Sequence, residues 1–436
     1  MTKKSILTLT LAAVALFPVA CTIKTTSNDG SGGSDSGGST STGGKSSTGG
    51  SSATGGSSTN GGSSATGGSS TNGGQSAAGG SSSTGGASSN GGQSTVGGAS
   101  STGGASTAGG SGAGGSSSTV AKTRVDVTDD INAATTWTAN NVYVISASST
   151  ISVNAALTIE PGTVVKFQSG AALYVDTTGQ LNAIGSATAH IVFTGIKDDS
   201  AGGDTNADGS ATKPTIGDWS TIGVVGNSSS FDYAEVRYAD SAVALAGKNQ
   251  SVKHTTFTFN TLALDSTNVA VPASSTTIAN NVFFKNTHPL TIDAGTAVDA
   301  TNTFHNPSAS SEVNTFQAIE VTTDIGNTVT WSNTEVAYVL SGAGATYYVN
   351  SPAVLTLATG VVVKLDAGAE LYVNTGATLN VGATTTFTSY KDDSKLGDSN
   401  GDGTATTPAD NDWSGVYVAT TDTWLTTNVF FDNLTH

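Results

Sequence analysis

Residues 157–175 read LTIEPGTVVKFQSGAALYV, and residues 355–373 read LTLATGVVVKLDAGAELYV. Each copy is a run of apolar bursts three or four residues long. In the first they fall at 157–159, 164–167 and 173–175, with turn glycines at Gly162 and Gly170 between them. Bursts starting at Leu157, Leu173 and Ile191 are 16 to 18 residues apart, and 164–167 and 181–184 fall between them. Strands this short are poor material for a sandwich of long antiparallel strands. They fit successive coils of a parallel β-solenoid, in which each coil contributes two or three short strands.

The repetition extends well beyond this stretch. VTDDI at 127–131 returns as VTTDI at 321–325, and Trp137 returns as Trp331. FTGIKDDSAGGDTNADGSATKPTIGDW at 193–219 returns as FTSYKDDSKLGDSNGDGTATTPADNDW at 387–413. Two homologous units follow, 121–314 and a shorter 315–436, with no convincing amphipathic helical stretch in either, so the expected class is all-β. A second theme runs through Phe257-Thr258-Phe259-Asn260, Phe283-Phe284-Lys285-Asn286, Phe304-His305-Asn306 and Phe430-Phe431-Asp432-Asn433. Asparagine recurring at one place in successive coils can adopt a left-handed turn conformation and exchange amide hydrogen bonds along the stack, with the aromatics stacked inside.

The phrases EPGTVVKF at 160–167, KDDS at 197–200 and GDW at 217–219 resemble right-handed parallel β-helix proteins of the pectate-lyase-like superfold. More closely, the chain is similar to tethered surface lipoproteins of Gram-negative soil bacteria. The resemblance covers 121–436 for the fold and 1–120 for the layout. It implies a right-handed parallel β-helix and leaves activity open, because this superfold hosts lyases, hydrolases, adhesins and passive scaffolds.

The first 21 residues fit an export signal: Lys3 and Lys4, an uncharged apolar run over 5–20, then small residues before Cys21. Cys21 is the only cysteine in the chain, so no intramolecular disulfide can form. The segment resembles a bacterial lipobox, with Pro18 where the pattern usually has leucine. That resemblance implies cleavage, acylation of Cys21 and anchoring in a membrane by acyl chains rather than a spanning helix. Thr22 after the cysteine fits passage to the outer membrane, at the cell surface or facing the periplasm. Residues 22–120 are dominated by Gly, Ser, Thr, Ala and Asn, with a Gly-Gly pair every six residues from Gly37-Gly38 to Gly109-Gly110. Such a segment buries too little apolar surface to offset the entropy of ordering it. As a flexible tether it has a reach of roughly 50 to 60 Å. The net charge of −16 argues against a nucleic-acid partner, whose affinity rests on Lys and Arg.

The most chemical feature is the pair of loops DTNADG at 204–209 and DSNGDG at 398–403. Both fit the first half of an EF-hand loop, whose alternate oxygen ligands converge on Ca²⁺. The candidate ligands are Asp204, Asn206, Asp208 and Ser210 in the first loop, and Asp398, Asn400, Asp402 and Thr404 in the second. The glutamate expected at loop position 12 is replaced by Thr215 and Ala409, which leaves Asp218 and Asp412 as closing carboxylates. Asp198, Asp199, Asp392 and Asp393 enter the same loops from the other side. The ion would be structural, pinning a long insertion to the coil stack; the alternative is that Asp, Asn and Gly merely form turns.

For catalysis the sequence offers little. Arg124 and Arg237 are isolated from the acidic clusters, Asp240 is a lone carboxylate at an Asn-ladder position, and His190, His254, His288 and His305 lack metal-ligand spacing. Lys197 and Lys391 beside Asp-Asp read as surface ion pairs. The expected role is a lipid-anchored, calcium-stabilised β-helix acting as a surface structural or adhesion module and not as an enzyme, with a calcium-dependent polysaccharide lyase or hydrolase as the alternative. Tyr143, Tyr174, Tyr338 and Tyr372 recur in both units, either as a stacking platform for a glycan or as residues packed on a sheet. Another surface protein is a further partner class. An open solenoid end after unit two would favour end-to-end self-association.

Overall fold

The structure, a computed structural model, describes residues 122–267 and 276–433. Cys21 and the segments read above as an export signal and a tether lie outside the described residues. The described residues contain no helix and form a parallel β-solenoid of about 10 turns.

The repeated stretch shows how a coil is made. Val164–Phe167, Ala172–Val175 and Gln180–Ile184 each occupy one face, and the next coil begins at Ile191–Gly195 on the face where the first began. Strands of successive coils pair in parallel, so Tyr143, Val165 and Phe193 fall in one row and Leu157 pairs with Leu181. Side chains alternate across a strand. Each row is therefore wholly inward or wholly outward, and the inward rows fuse into one core running the length of the column.

Three sheets of seven, ten and six strands build unit one, and the ten-stranded sheet continues from Thr150–Val153 through to Thr386–Ser389 in unit two. The two units do not stack in phase. Asn141–Ile145, Val164–Phe167 and Ile191–Gly195 lie in the seven-stranded sheet. Their homologues Ala337–Leu340, Val362–Leu365 and Thr386–Ser389 lie in the ten-stranded sheet, one face further around the column.

The asparagine theme is present with a shifted assignment. Asn260, Asn286 and Asn314 form one buried ladder, with the Asn260 amide donating to Asn286 Oδ1 at 2.9 Å and that of Asn286 to Asn314 Oδ1 at 3.0 Å. Asn281 and Asn302 form a second, at 2.9 Å. The left-handed residue is the one before the asparagine, Phe259, Lys285 or Asn280, each with φ of 57 to 58°. That residue turns the corner, and the asparagine after it can then aim its amide inward. There it supplies the hydrogen bonds that strand pairing cannot make at a bend. Asn306 belongs instead to an antiparallel excursion, where it donates to Glu312 at 2.7 Å, and Asn433 is exposed while Asp432 is buried. Phe257, Phe283 and Phe304 stack inside at 5.1 and 5.2 Å, as expected.

Candidate metal centres

Each acidic loop leaves the column after a strand with the same hydroxyl and aspartate pattern and folds back over the outer face of the sheet. In unit one Thr194 Oγ1 donates to Asp198 at 2.7 Å, and Ser200 donates to it through its backbone at 3.1 Å. In unit two Thr388 and Ser394 do the same for Asp392 at 2.7 and 3.1 Å. Arg237, from the following coil, pairs with Asp198 at 2.9 Å and with Glu235 at 3.2 Å. Burial pushes the Asp198 carboxyl up, but Ser200, Thr194 and the Arg237 charge outweigh it and hold it below the usual carboxylate range.

Covering the outer face creates small apolar layers outside the main core: Val142, Val144, Val164 and Ala201 in unit one, and Ala318, Ala337, Val339 and Val362 in unit two. Gly202 presses so close that a Cβ would lie 2.7 Å from Val142 Cγ2, and its φ is +71°. The layers also seal in the lysine of each VVK triplet. Lys166 and Lys364 are fully buried, and their ammonium groups donate to the carbonyls of Gly203 at 2.6 Å and Gly397 at 2.8 Å. Burial lowers the Lys364 pKa to about 8 against the opposing pull of Asp392, Asp393 and Asp398. Both lysines tie the root of an acidic loop to the sheet beneath it.

Above these roots the carboxylates of Asp199, Asp204 and Asp208 come within 4.8 Å of one another, as do those of Asp393, Asp398 and Asp402. The first aspartate of the motif organises the loop: Asp204 accepts from the backbone of Ala207 at 2.7 Å and Gly209 at 2.9 Å, and Asp398 accepts from Gly401 and Gly403, both at 2.7 Å. The Asn206 amide donates to Asp208 Oδ2 at 2.9 Å, which leaves Asn206 Oδ1 directed away from that bond. Asn206 Oδ1, Asp208 Oδ1 and Asp199 Oδ1 are shielded from solvent with no hydrogen-bond donor, and so is Asp393 Oδ1 in the second loop. Burial and the neighbouring Asp398 raise the Asp393 carboxyl above its usual range. Shielded oxygens without donors are costly unless a cation or water meets them. The chemistry is all-oxygen, which fits a hard divalent cation.

The sequence-predicted ligands divide. Asp204, Asp208, Asp398 and Asp402 are in the clusters, with Asn206 and Asn400 adjoining them. Ser210 and Thr404 are exposed. Asp218 and Asp412 are held elsewhere: Lys197 donates to Asp218 at 2.6 Å, as does Lys391 to Asp412, and the backbones of Thr215 and Ala409 donate at 2.9 and 3.0 Å. They staple the exit of each loop. The third carboxylate is instead Asp199 or Asp393, from the repeated KDDS.

Two arginines distant in sequence also reach the first loop: Arg237 as above, and Arg124, whose guanidinium donates to the Thr205 carbonyl. Asp240 is exposed and takes no part in the ladder, where Asn260 accepts from the Ala239 backbone at 2.9 Å. The four tyrosines split into two kinds. Tyr143 and Tyr338 are buried, stacked on Trp137 at 4.6 Å and Trp331 at 4.7 Å, whereas Tyr174 and Tyr372 stand on the outside. Comparison of the chain with family models, with curated proteins and with solved structures finds no match.

Proposed function

We propose that the protein is a lipid-anchored component of the cell envelope, held through Cys21, that displays a calcium-stabilised β-solenoid on a flexible tether as a structural or adhesion module. The observation that carries the calcium assignment is the convergence of three carboxylates, twice over, with donor-less oxygens shielded among them. The two clusters come from one repeated sequence, and each rests on the equivalent buried lysine, Lys166 in the first and Lys364 in the second. A structural ion fits this placement, because each loop covers an apolar layer and a fully buried ammonium that would otherwise meet water. Display outside the cytoplasm fits the export signal and the acidic composition.

Calorimetric titration of the full-length chain with Ca²⁺ tests this reading. The expected result is binding of two ions per chain at millimolar or lower concentration, with a melting temperature that rises with calcium and falls on chelation. Absence of both heat and thermal shift would remove the calcium assignment. Protease added to intact cells tests the display: loss of the protein supports surface exposure.

A further inference from the structure

In unit two, Thr346–Val349, Glu370–Val373 and Gly415–Val418 stack in register so that Tyr348, Tyr372 and Tyr417 occupy one outward row. Trp424, on an antiparallel strand, pairs with Tyr417 and continues the row. Ring centroids are 5.6, 5.1 and 5.0 Å apart along it. Tyr348 and Trp424 are 38 and 39 % exposed.

Unit one shows that the solenoid does not need this row. The homologous register there runs Ser152, Tyr174, Gly223, and the single tyrosine lies over the glycine, where a Cβ would come within 2.9 Å of its ring. Unit two keeps the same backbone pairing and carries an aromatic at every rung. An outward aromatic row, exposed at Tyr348 and Trp424 and half-buried at Tyr372 and Tyr417 between them, is a solubility liability unless something covers it.

The surroundings point to the chemistry of that occupant. The four strands hold no lysine or arginine, and Glu370 stands in the rung beside Tyr372. Asp422 accepts from the Tyr417 hydroxyl, and Asp324 accepts from the Tyr348 backbone at 2.9 Å. An acidic polymer would be repelled, while hydroxyl-rich rings with apolar faces would find aromatic surfaces flanked by carboxylate acceptors. Strand spacing of about 4.8 Å sets the repeat of the row.

We infer that the Tyr348, Tyr372, Tyr417 and Trp424 row binds a neutral polysaccharide lying along the column axis. This names a ligand class for the adhesion role proposed above and rests on that role, but it does not depend on calcium. Trp424 provides a direct probe: of the five tryptophans, Trp137, Trp219, Trp331 and Trp413 are buried, so acrylamide quenching reports chiefly on Trp424.

The experiment measures this quenching on the full-length chain, in chelator and in Ca²⁺, with soluble glucan, glucomannan and xyloglucan as neutral probes and polygalacturonate as the acidic one. At least one neutral polymer should protect Trp424 in both buffers, and Tyr372→Ser with Tyr417→Ser should weaken binding about tenfold or more. Tyr174→Ser in unit one should leave binding unchanged. The inference is overturned if no neutral polymer protects the wild type, if only polygalacturonate does, or if the folded double variant binds as well as the wild type. Should the double variant fail to fold, Tyr372→Ser alone, checked by its melting curve, decides that arm in the same way. Protection in chelator without a calcium-induced thermal shift would uphold the glycan row while removing the metal.

Discussion

Replacing Asn286 with alanine probes the device that lets this chain turn corners. The Asn286 side chain donates to Phe257 O at 2.9 Å and Asn314 Oδ1 at 3.0 Å, and accepts from the Asn260 backbone at 3.1 Å and the Asn260 amide at 2.9 Å. All of these groups are buried, so Asn286→Ala leaves them where water does not easily replace the lost partner. A typical hydrogen bond contributes about 1 kcal/mol net, and a buried group left unpaired costs about 1 to 3 kcal/mol. The Asn260 amide keeps Val236 O at 3.0 Å and Asn314 Oδ1 keeps the Asn286 backbone at 3.2 Å. The Asn260 N–H and the Phe257 carbonyl therefore dominate, and the expected loss is about 3 to 5 kcal/mol. Urea unfolding at pH 7, followed by circular dichroism, measures it. The exposed pair Asn154–Asn132, 2.9 Å apart, serves as control, with Asn132→Ala expected within about 0.5 kcal/mol of wild type. If Asn286→Ala cost no more than that control, the ladder would be ornamental to stability and the account of the corners wrong.

Truncating Phe283, stacked between Phe257 and Phe304, to alanine should cost about 3 to 5 kcal/mol in the same assay, and a loss below 1 kcal/mol would contradict a packed interior. Gly179→Ala places a Cβ 1.9 Å from Val153 O, so it should lower the melting temperature by several degrees, and a neutral result would mean that the coils are not this close. Asp402→Asn should halve the calcium stoichiometry while the first loop keeps its ion; titration that still shows two equal sites would count against the second cluster. Stability should also fall on acidification. Asp198 and Asp412 titrate below their ordinary value of 3.8, so the stability they contribute is complete above about pH 5 and is lost as the pH falls through their depressed values. Urea midpoints from pH 5 to 2 check this, and Asp198→Asn should flatten the slope.

Much of the column was legible because its period is written in the side chains. Leu173, Tyr174 and Val175 alternate inward, outward, inward, which places Tyr174 and Tyr372 outside. Tyr143 and Tyr338 stand instead in strands buried on both faces, where alternation says nothing and the companions Trp137 and Trp331 mark them as core. The loops were legible as repeated aspartate motifs, and the repeated KDDS held the signal for Asp199 and Asp393. EF-hand spacing puts position 12 at Thr215 and Ala409, and the next carboxylates, Asp218 and Asp412, are the substitutes it suggests, but Lys197 and Lys391 claim them. Lys166 and Lys364 occupy outward positions and read as solvated until a distant insertion is known to fold over them. The phase between the units was not legible at all, since it depends on how many residues each intervening coil consumes.

That phase has a consequence for how the molecule meets its surroundings. The first loop emerges where the seven-stranded sheet hands over to the ten-stranded one, and the second where the ten-stranded sheet hands over to the four-stranded one. Excising one complete coil from the intervening segment would shorten the molecule and keep both bearings, whereas removing a single strand's worth of chain would swing everything downstream to a different compass direction. Length in that segment is thus an azimuth dial, and a flat neighbour approaching from one side meets one acidic loop and not the other.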